Sequence, residues 1–107
     1  MHQRQNLLVQ NDLAGFKSYV DLSDIETQDG NGATPLIVAA YYGHDSIVMY
    51  LCDRGAKVDQ PDYNGWTALI YASYYNFYNV AKILVDNNAA VDIADSEGHT
   101  ALYYARE

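Results

Sequence analysis

Apolar and small residues recur along the chain at a fixed spacing of 33 positions, and polar residues keep constant places between them. The apolar and small members of this register are Leu36, Leu69, Leu102, Ala39, Ala72 and Ala105. The polar and turn-forming members are Asp29, Asp62, Asp95, Gly32, Gly65, Gly98, Thr34, Thr67 and Thr100. A fixed period of this length predicts an array of stacked repeats.

Each repeat has the pattern of a pair of short helices. Thr34 is a favourable helix N-cap, and the threonines in register with it repeat the cap. Gly43 and Gly55 are expected to end the two helices through left-handed backbone. Asn76 and Asn88 take these positions in the second copy, and asparagine tolerates that geometry best after glycine. The polar segments between the helical pairs predict extended chain with a tight turn.

From Asp29 to Asp59 the chain follows D-x-x-G-x-T-P-L-x-x-A-A-x-x-G-H-x-x-I-V-x-x-L-x-x-x-G-A-x-V-D, which resembles the ankyrin repeat. The second copy, residues 62–92, diverges more but keeps the small and apolar pattern. The resemblance implies an all-α fold, an ankyrin-repeat solenoid of stacked helix-turn-helix units joined by β-hairpin-like loops. Where the family has a histidine after Thr-Pro-Leu, this chain has Ile37, Ile70 and Tyr103. Apolar packing should therefore hold neighbouring repeats together.

On the basis of this resemblance, residues 1–107 are expected to form a single ankyrin repeat domain. Its units are a degenerate N-terminal repeat or cap at 4–27, repeats at 28–60 and 61–93, and a partial repeat at 94–107. The cap assignment rests on a looser match that sets Asn11 against Gly43. The partial repeat leaves Leu102 and Tyr103 without a covering helix, so we expect either a longer array or self-association through this uncovered C-terminal repeat.

Charge and composition narrow the function. The chain has 6 Lys and Arg against 14 Asp and Glu, a formal net charge of −8, and its basic residues are scattered. Nucleic-acid binding, which depends on clustered positive charge, is therefore not expected.

No apolar stretch approaches the roughly 20 residues of a membrane span, and the start lacks a secretory signal, so a cytoplasmic location without membrane contact is expected. The single cysteine, Cys52, has the surroundings of a buried apolar residue.

Residues for catalysis or metal binding do not form a recognisable set. His2, His44 and His99 are far apart, and no H-x-x-x-H or C-x-x-C pair occurs. The carboxylates around Asp24 and Asp95 fall in hairpin connections, where they cap turns. The sequence predicts no enzyme activity, no metal site and no cofactor.

Aromatic residues are concentrated where the resemblance places the concave face, at the ends of the inner helices and at the hairpin tips. The candidate partner-binding residues are Asn31, Ala33, Tyr41, Tyr42, Tyr63, Asn64, Trp66, Tyr74 and Tyr75. Tyrosine and tryptophan supply large contact areas with few rotatable bonds. The alternative is that these tyrosines only cover neighbouring turns. Tyr71 and Phe77 are interpreted as core, and Tyr78 as solvent-facing.

The leading hypothesis is a protein–protein interaction scaffold that binds another protein through its Tyr- and Trp-rich concave face. The negative charge would favour a partner with a basic surface by steering its approach. An inhibitor or immunity-type protein that blocks an enzyme or toxin is the alternative. Single-stranded nucleic-acid binding through base stacking is weaker, because positive charge is scattered.

Overall fold

The computed structural model describes residues 25–105, and all regular secondary structure in this range is helical. The helices are α1 (Pro35–Tyr41), α2 (Asp45–Asp53), α3 (Ala68–Tyr74), α4 (Tyr78–Asp86) and α5 (Ala101–Tyr104). Helices α1, α3 and α5 begin 33 positions apart, in the register of the sequence. The predicted all-α solenoid is confirmed.

Threonine side chains start the first helix of both complete repeats. Oγ1 of Thr34 accepts a hydrogen bond from the backbone N–H of Ile37, and Oγ1 of Thr67 accepts one from Ile70, each at 3.2 Å. Thr100 differs, because its side chain makes no capping hydrogen bond. The N–H of Tyr103 donates to the carbonyl of Thr100 instead, at 3.0 Å. The predicted side-chain cap is therefore absent from the one-turn helix α5.

The turn residues end the helices as their types require. Gly43 and Gly55 have φ angles of 71° and 89°. Asn76 and Asn88, their equivalents in the second repeat, have φ angles of 63° and 69°. Left-handed backbone at all four positions confirms the prediction that asparagine takes over the role of glycine there.

The helices form two layers, with α1, α3 and α5 side by side in the inner layer and α2 beside α4 in the outer layer. Leu36, Leu51 and Leu84 are almost completely buried in the core. Ile37 and Ile70, which replace the histidine of the ankyrin pattern, are also buried. Burying a side chain of this size contributes roughly 1.5–3 kcal/mol. Apolar contact therefore supplies the cohesion between repeats at these two positions.

The connections between repeats are tight turns that hydrogen-bond to one another. Asp29 N–H donates to the carbonyl of Ala33 at 2.9 Å, and the next two tips repeat this bond. Tyr63 N–H donates to the carbonyl of Asn31 at 3.0 Å, which joins the first tip to the second. These bonds arrange the tips in a row along one edge of the inner helices.

The degenerate repeat predicted at residues 4–27 lies almost wholly outside the described residues, and its assignment stays a prediction. Between residues 25 and 105, no helix has both the length and the apolar composition to cross a membrane.

Candidate partner-binding surface

The hairpin tips and the C-terminal ends of α1 and α3 form one surface, here called the inner surface, and it carries two depressions. The first depression, of about 340 Å³, includes four predicted site residues in its lining: Asn31, Ala33, Tyr41 and Tyr42. The second, of about 370 Å³, includes four more: Asn64, Trp66, Tyr74 and Tyr75. The structure thus brings eight of the nine candidates together in two adjacent hollows.

Tyr63 is the ninth candidate, and it lies outside both linings. Its side chain is 71% exposed, and its ring covers Gly32. A Cβ atom at Gly32 would come within 2.5 Å of that ring, so the close approach requires glycine. Tyr63 therefore covers the first hairpin tip beside the depressions.

The aromatic side chains of the inner surface are held by one another. Tyr41 makes edge contacts with Tyr42 at 4.9 Å and with Tyr75 at 5.3 Å between ring centroids. Trp66 and Tyr74 pack in the same way at 5.4 Å. Burial, together with a hydrogen bond between Tyr75 and Tyr41, raises the pKa of Tyr75. A partner would meet rings that are already ordered, which lowers the entropy cost of binding.

Two tyrosine–aspartate pairs repeat along this surface. The Tyr71 hydroxyl donates to Oδ2 of Asp62, and the Tyr104 hydroxyl donates to Oδ2 of Asp95, each at 2.5 Å. The Oδ1 atom of each aspartate accepts two backbone N–H groups of its own hairpin tip at 2.9 to 3.0 Å. Both oxygens of each carboxylate are therefore bonded, and each pair ties a tip to its inner helix.

The same bonds fix the protonation of these groups. Burial, and then the hydrogen bond to Asp62, raises the pKa of Tyr71. The hydrogen bond to Asp95 raises the pKa of Tyr104 to about 12. Desolvation alone would raise the pKa of Asp95, but its hydrogen bonds from Tyr104 and two backbone amides outweigh it and lower that pKa. At neutral pH the tyrosines are donors and Asp95 is an anion.

Sequence reasoning missed part of this arrangement. Tyr71 was assigned to the core, but it is only half-buried, and it lines both depressions as well as packing against the core. Tyr104 was not singled out, although it lines the second depression. The signal was present in the sequence, because Tyr71 and Tyr104 are 33 residues apart and each follows an aspartate of the register by nine positions.

A third depression, of about 610 Å³, lies on the outer layer between α2 and α4. Met49 and Ile83 contribute apolar surface there, and none of the predicted site residues lines it. Lys82 and Asp86 on its rim form an ion pair at 3.3 Å. As exposed side chains on one helix, they contribute only about 0.3–0.5 kcal/mol.

No group of three or more potential metal ligands occurs anywhere in residues 25–105.

At the C-terminal side of the described chain, Leu102 is 77% exposed. The Tyr103 ring stacks on His99 with centroids 3.8 Å apart. Leu102 thus remains an exposed apolar side chain, and self-association through this repeat stays a prediction.

The family model described as ankyrin repeats (3 copies) matches residues 5–95, which is most of the chain. The chain belongs to the ankyrin-repeat family. Ankyrin repeats generally mediate protein–protein interactions, and their family is typically one of non-enzymatic scaffolds. No curated protein matches the chain.

Proposed function

We propose that this protein is an interaction scaffold whose inner surface, the concave face expected from the sequence, binds a partner protein. The observation that carries the proposal is the clustering of half-exposed aromatic rings around two adjacent depressions. Tyr41, Tyr42, Tyr74 and Tyr75 are 41% to 53% exposed, although they pack against one another. Ordered, amphipathic rings of this kind are enriched at the energetic centres of protein interfaces.

The charge of this surface favours a partner with a basic surface. Asp29, Asp62, Asp95 and Glu97 lie on the linings of the two depressions. No lysine or arginine of the described chain lines either depression. Complementary charge speeds the encounter of two proteins and excludes wrong partners more than it adds affinity. The same distribution repels a phosphate backbone and so disfavours the nucleic-acid alternative.

An inhibitor or immunity-type protein would use the same surface and differ only in what it covers on its partner. That alternative is a special case of protein binding. It requires that the partner be an enzyme or a toxin whose activity falls in the complex.

Tyr74 and Tyr78 provide a matched test, because both are exposed tyrosines and only Tyr74 lines a depression of the inner surface. Affinity capture with mass spectrometry identifies a partner, and titration then gives its affinity for each variant. We expect Tyr74→Ala to weaken binding about tenfold or more and Tyr78→Ala to leave it within about twofold. Unchanged binding by Tyr74→Ala, or an equal loss with Tyr78→Ala, would contradict the proposal.

A second measurement addresses nucleic acid directly. Fluorescence polarisation of a labelled single-stranded oligonucleotide is expected to show no binding at 50 mM or 200 mM salt, concentrations chosen because phosphate-driven binding changes steeply between them. Tight binding that falls with salt would favour the nucleic-acid alternative.

A further inference from the structure

The two depressions of the inner surface lie in successive repeats, and at two equivalent positions their side chains differ greatly in size. The first depression has Ala33 and Val38 where the second has Trp66 and Tyr71, 33 residues later. Small side chains in the first repeat therefore replace two large aromatic ones in the second.

This difference decides what lies within reach of a ligand. Asp29 and Ile37 line the first depression. Their equivalents, Asp62 and Ile70, do not line the second. Asp62 instead lies on the lining of the first depression as well, where it is 6% exposed. In the second repeat, Tyr71 covers Asp62 and donates its hydroxyl to the carboxylate. The first repeat thus leaves the Asp29 carboxylate partly exposed, whereas the second repeat buries the equivalent carboxylate of Asp62.

The carboxylate of Asp29 is bonded on one side only. Its Oδ1 accepts the backbone N–H groups of Asn31 and Ala33, both at 2.9 Å. Oδ2 receives no hydrogen bond from any residue between 25 and 105, because Val38 stands where the later repeats have a tyrosine hydroxyl. The first tip is therefore held through Oδ1 in the same way as the other two, and Asp29, which lines the first depression, retains a carboxylate oxygen that accepts no hydrogen bond from residues 25–105.

We propose that the first depression is an anchor pocket for an arginine side chain of the partner protein, with Asp29 as its counter-ion. The inference rests on the proposed function and specifies which chemistry the inner surface recognises. The guanidinium replaces the missing tyrosine hydroxyl as the donor to Oδ2 of Asp29.

Three properties of the depression match arginine. Tyr41, Tyr42 and Tyr71 are on its lining, and aromatic rings attract a cation placed over their faces. Val38, which is partly exposed, provides apolar surface for the methylene stem. The planar guanidinium stacks flat on aromatic rings and presents its donors in a fixed fork that matches a carboxylate, whereas a lysine ammonium has three rotatable donors and no planar face. The depression, at about 340 Å³, also has room for a side chain of this length.

The pocket can be tested without knowing the partner, by titrating N-acetyl-arginine amide into the ¹⁵N-labelled chain and recording amide spectra. Asn31 and Ala33 report on the pocket, because their N–H groups bond to the Asp29 carboxylate. Glu97 and His99 make the same bonds to Asp95, which lies outside the first depression, and they serve as an internal control. We expect saturable shifts of the first pair, with a dissociation constant on the order of 1 mM, and smaller shifts of the second.

Two variants sharpen the result. Val38→Tyr installs the side chain that the later repeats carry, and it is expected to lower the affinity for the probe at least tenfold by covering Asp29. Asp29→Asn keeps an oxygen for the tip amides but removes the charge, and it should have the same effect. The rest of each spectrum shows whether the variant is folded. The proposal of an arginine pocket would be overturned by shifts that persist in both variants, or by the absence of any shift in the parent chain.

Related probes define its chemistry. N-acetyl-citrulline amide, which is neutral and nearly isosteric, is expected to give no saturable shift. Binding of N-acetyl-lysine amide as tight as that of the arginine probe would overturn the assignment to arginine. The two proposals remain separable: if Tyr74→Ala weakens partner binding but no probe binds, protein binding at the inner surface stands and the arginine pocket fails.

Discussion

The hydroxyl of Tyr71 and Oδ2 of Asp62 are joined by a 2.5 Å hydrogen bond that connects an inner helix to the hairpin tip of its own repeat. The tip itself is held by two backbone N–H groups on the other oxygen of Asp62. Trp66 stands at the end of that tip, with its ring 4.8 Å from the ring of Tyr71. The bond therefore fixes the side chains that we propose as the contact surface.

Tyr71→Phe removes this hydrogen bond and retains the ring. We expect the free energy of unfolding to fall by about 1–2 kcal/mol, since the acceptor is a carboxylate in a partly buried site. Tyr63→Phe is the matched control, because Tyr63 is exposed, and it should change stability by less than about 0.5 kcal/mol. Urea unfolding of both variants makes the comparison. Equal effects would show that the Tyr71 hydroxyl contributes nothing specific.

Alanine substitutions at Gly65 and Gly98 distinguish the stability cost of a strained backbone from the cost of a steric clash. Both have positive φ, 82° and 84°. A Cβ at Gly65 would lie 2.8 Å from the backbone N of Ser96, whereas nothing lies within 4 Å of one at Gly98. Gly98→Ala is expected to cost about 1–2 kcal/mol from φ alone, and Gly65→Ala a further 1–3 kcal/mol or so from the clash. Similar thermal unfolding midpoints for the two variants would contradict the close packing of the second and third tips.

Acid should lower the free energy of unfolding, because it protonates the Asp95 carboxylate that holds the third hairpin tip. The pKa of Asp95 is lowered in the folded protein, so its ionised form stabilises the fold. That contribution is fully present above the ordinary pKa of 3.8 and is lost as the pH falls through the lowered value. Asp95→Asn cannot titrate, so its deficit relative to the parent chain should be constant near neutral pH and shrink below about pH 4. Urea unfolding between pH 7 and pH 2.5 measures this, and a pH-independent deficit would refute it.

Cys52 should react slowly with thiol reagents. Burial, and secondarily the neighbouring Asp53 carboxylate, raises its pKa from 9.0 to about 11. At pH 8 the thiolate fraction is then about 100-fold lower than that of an unperturbed thiol, and the rate falls in proportion. Reaction with a chromogenic disulfide should be slow in buffer and about 100-fold faster in denaturing urea. Equal rates in the two media would contradict the buried environment.

The fold could be predicted from the sequence because the residues that determine it act locally and recur every 33 positions. Thr34 and Thr67 cap the inner helices, and Asn76 and Asn88 occupy left-handed turns, as the residue types require. The predicted side-chain cap of Thr100 is absent from the single-turn helix α5. The backbone N–H of Tyr103, which would donate to the Thr100 side chain, donates to the Thr100 carbonyl instead.

The candidate surface was predicted less completely, because its organisation depends on contacts between side chains. Position in the repeat was enough to bring Tyr41 and Tyr75 together at the same surface. Position in the repeat did not show that Tyr71 both packs against the core and donates a hydrogen bond to Asp62. Nor did it show that the smaller side chain of Val38 leaves Asp29 on the lining of the first depression. These are consequences of side-chain size and hydrogen bonding at equivalent positions, which helical periodicity alone does not encode.

The most direct test of the central claim is site-specific photo-cross-linking to the partner. Tyr42 on the inner surface and Val85 on the outer helix α4 are 43% and 46% exposed, so a benzoylphenylalanine at either position is equally accessible. We expect the partner to be cross-linked from position 42 and not from position 85. Cross-linking from position 85 with none from position 42 would contradict binding at the inner surface.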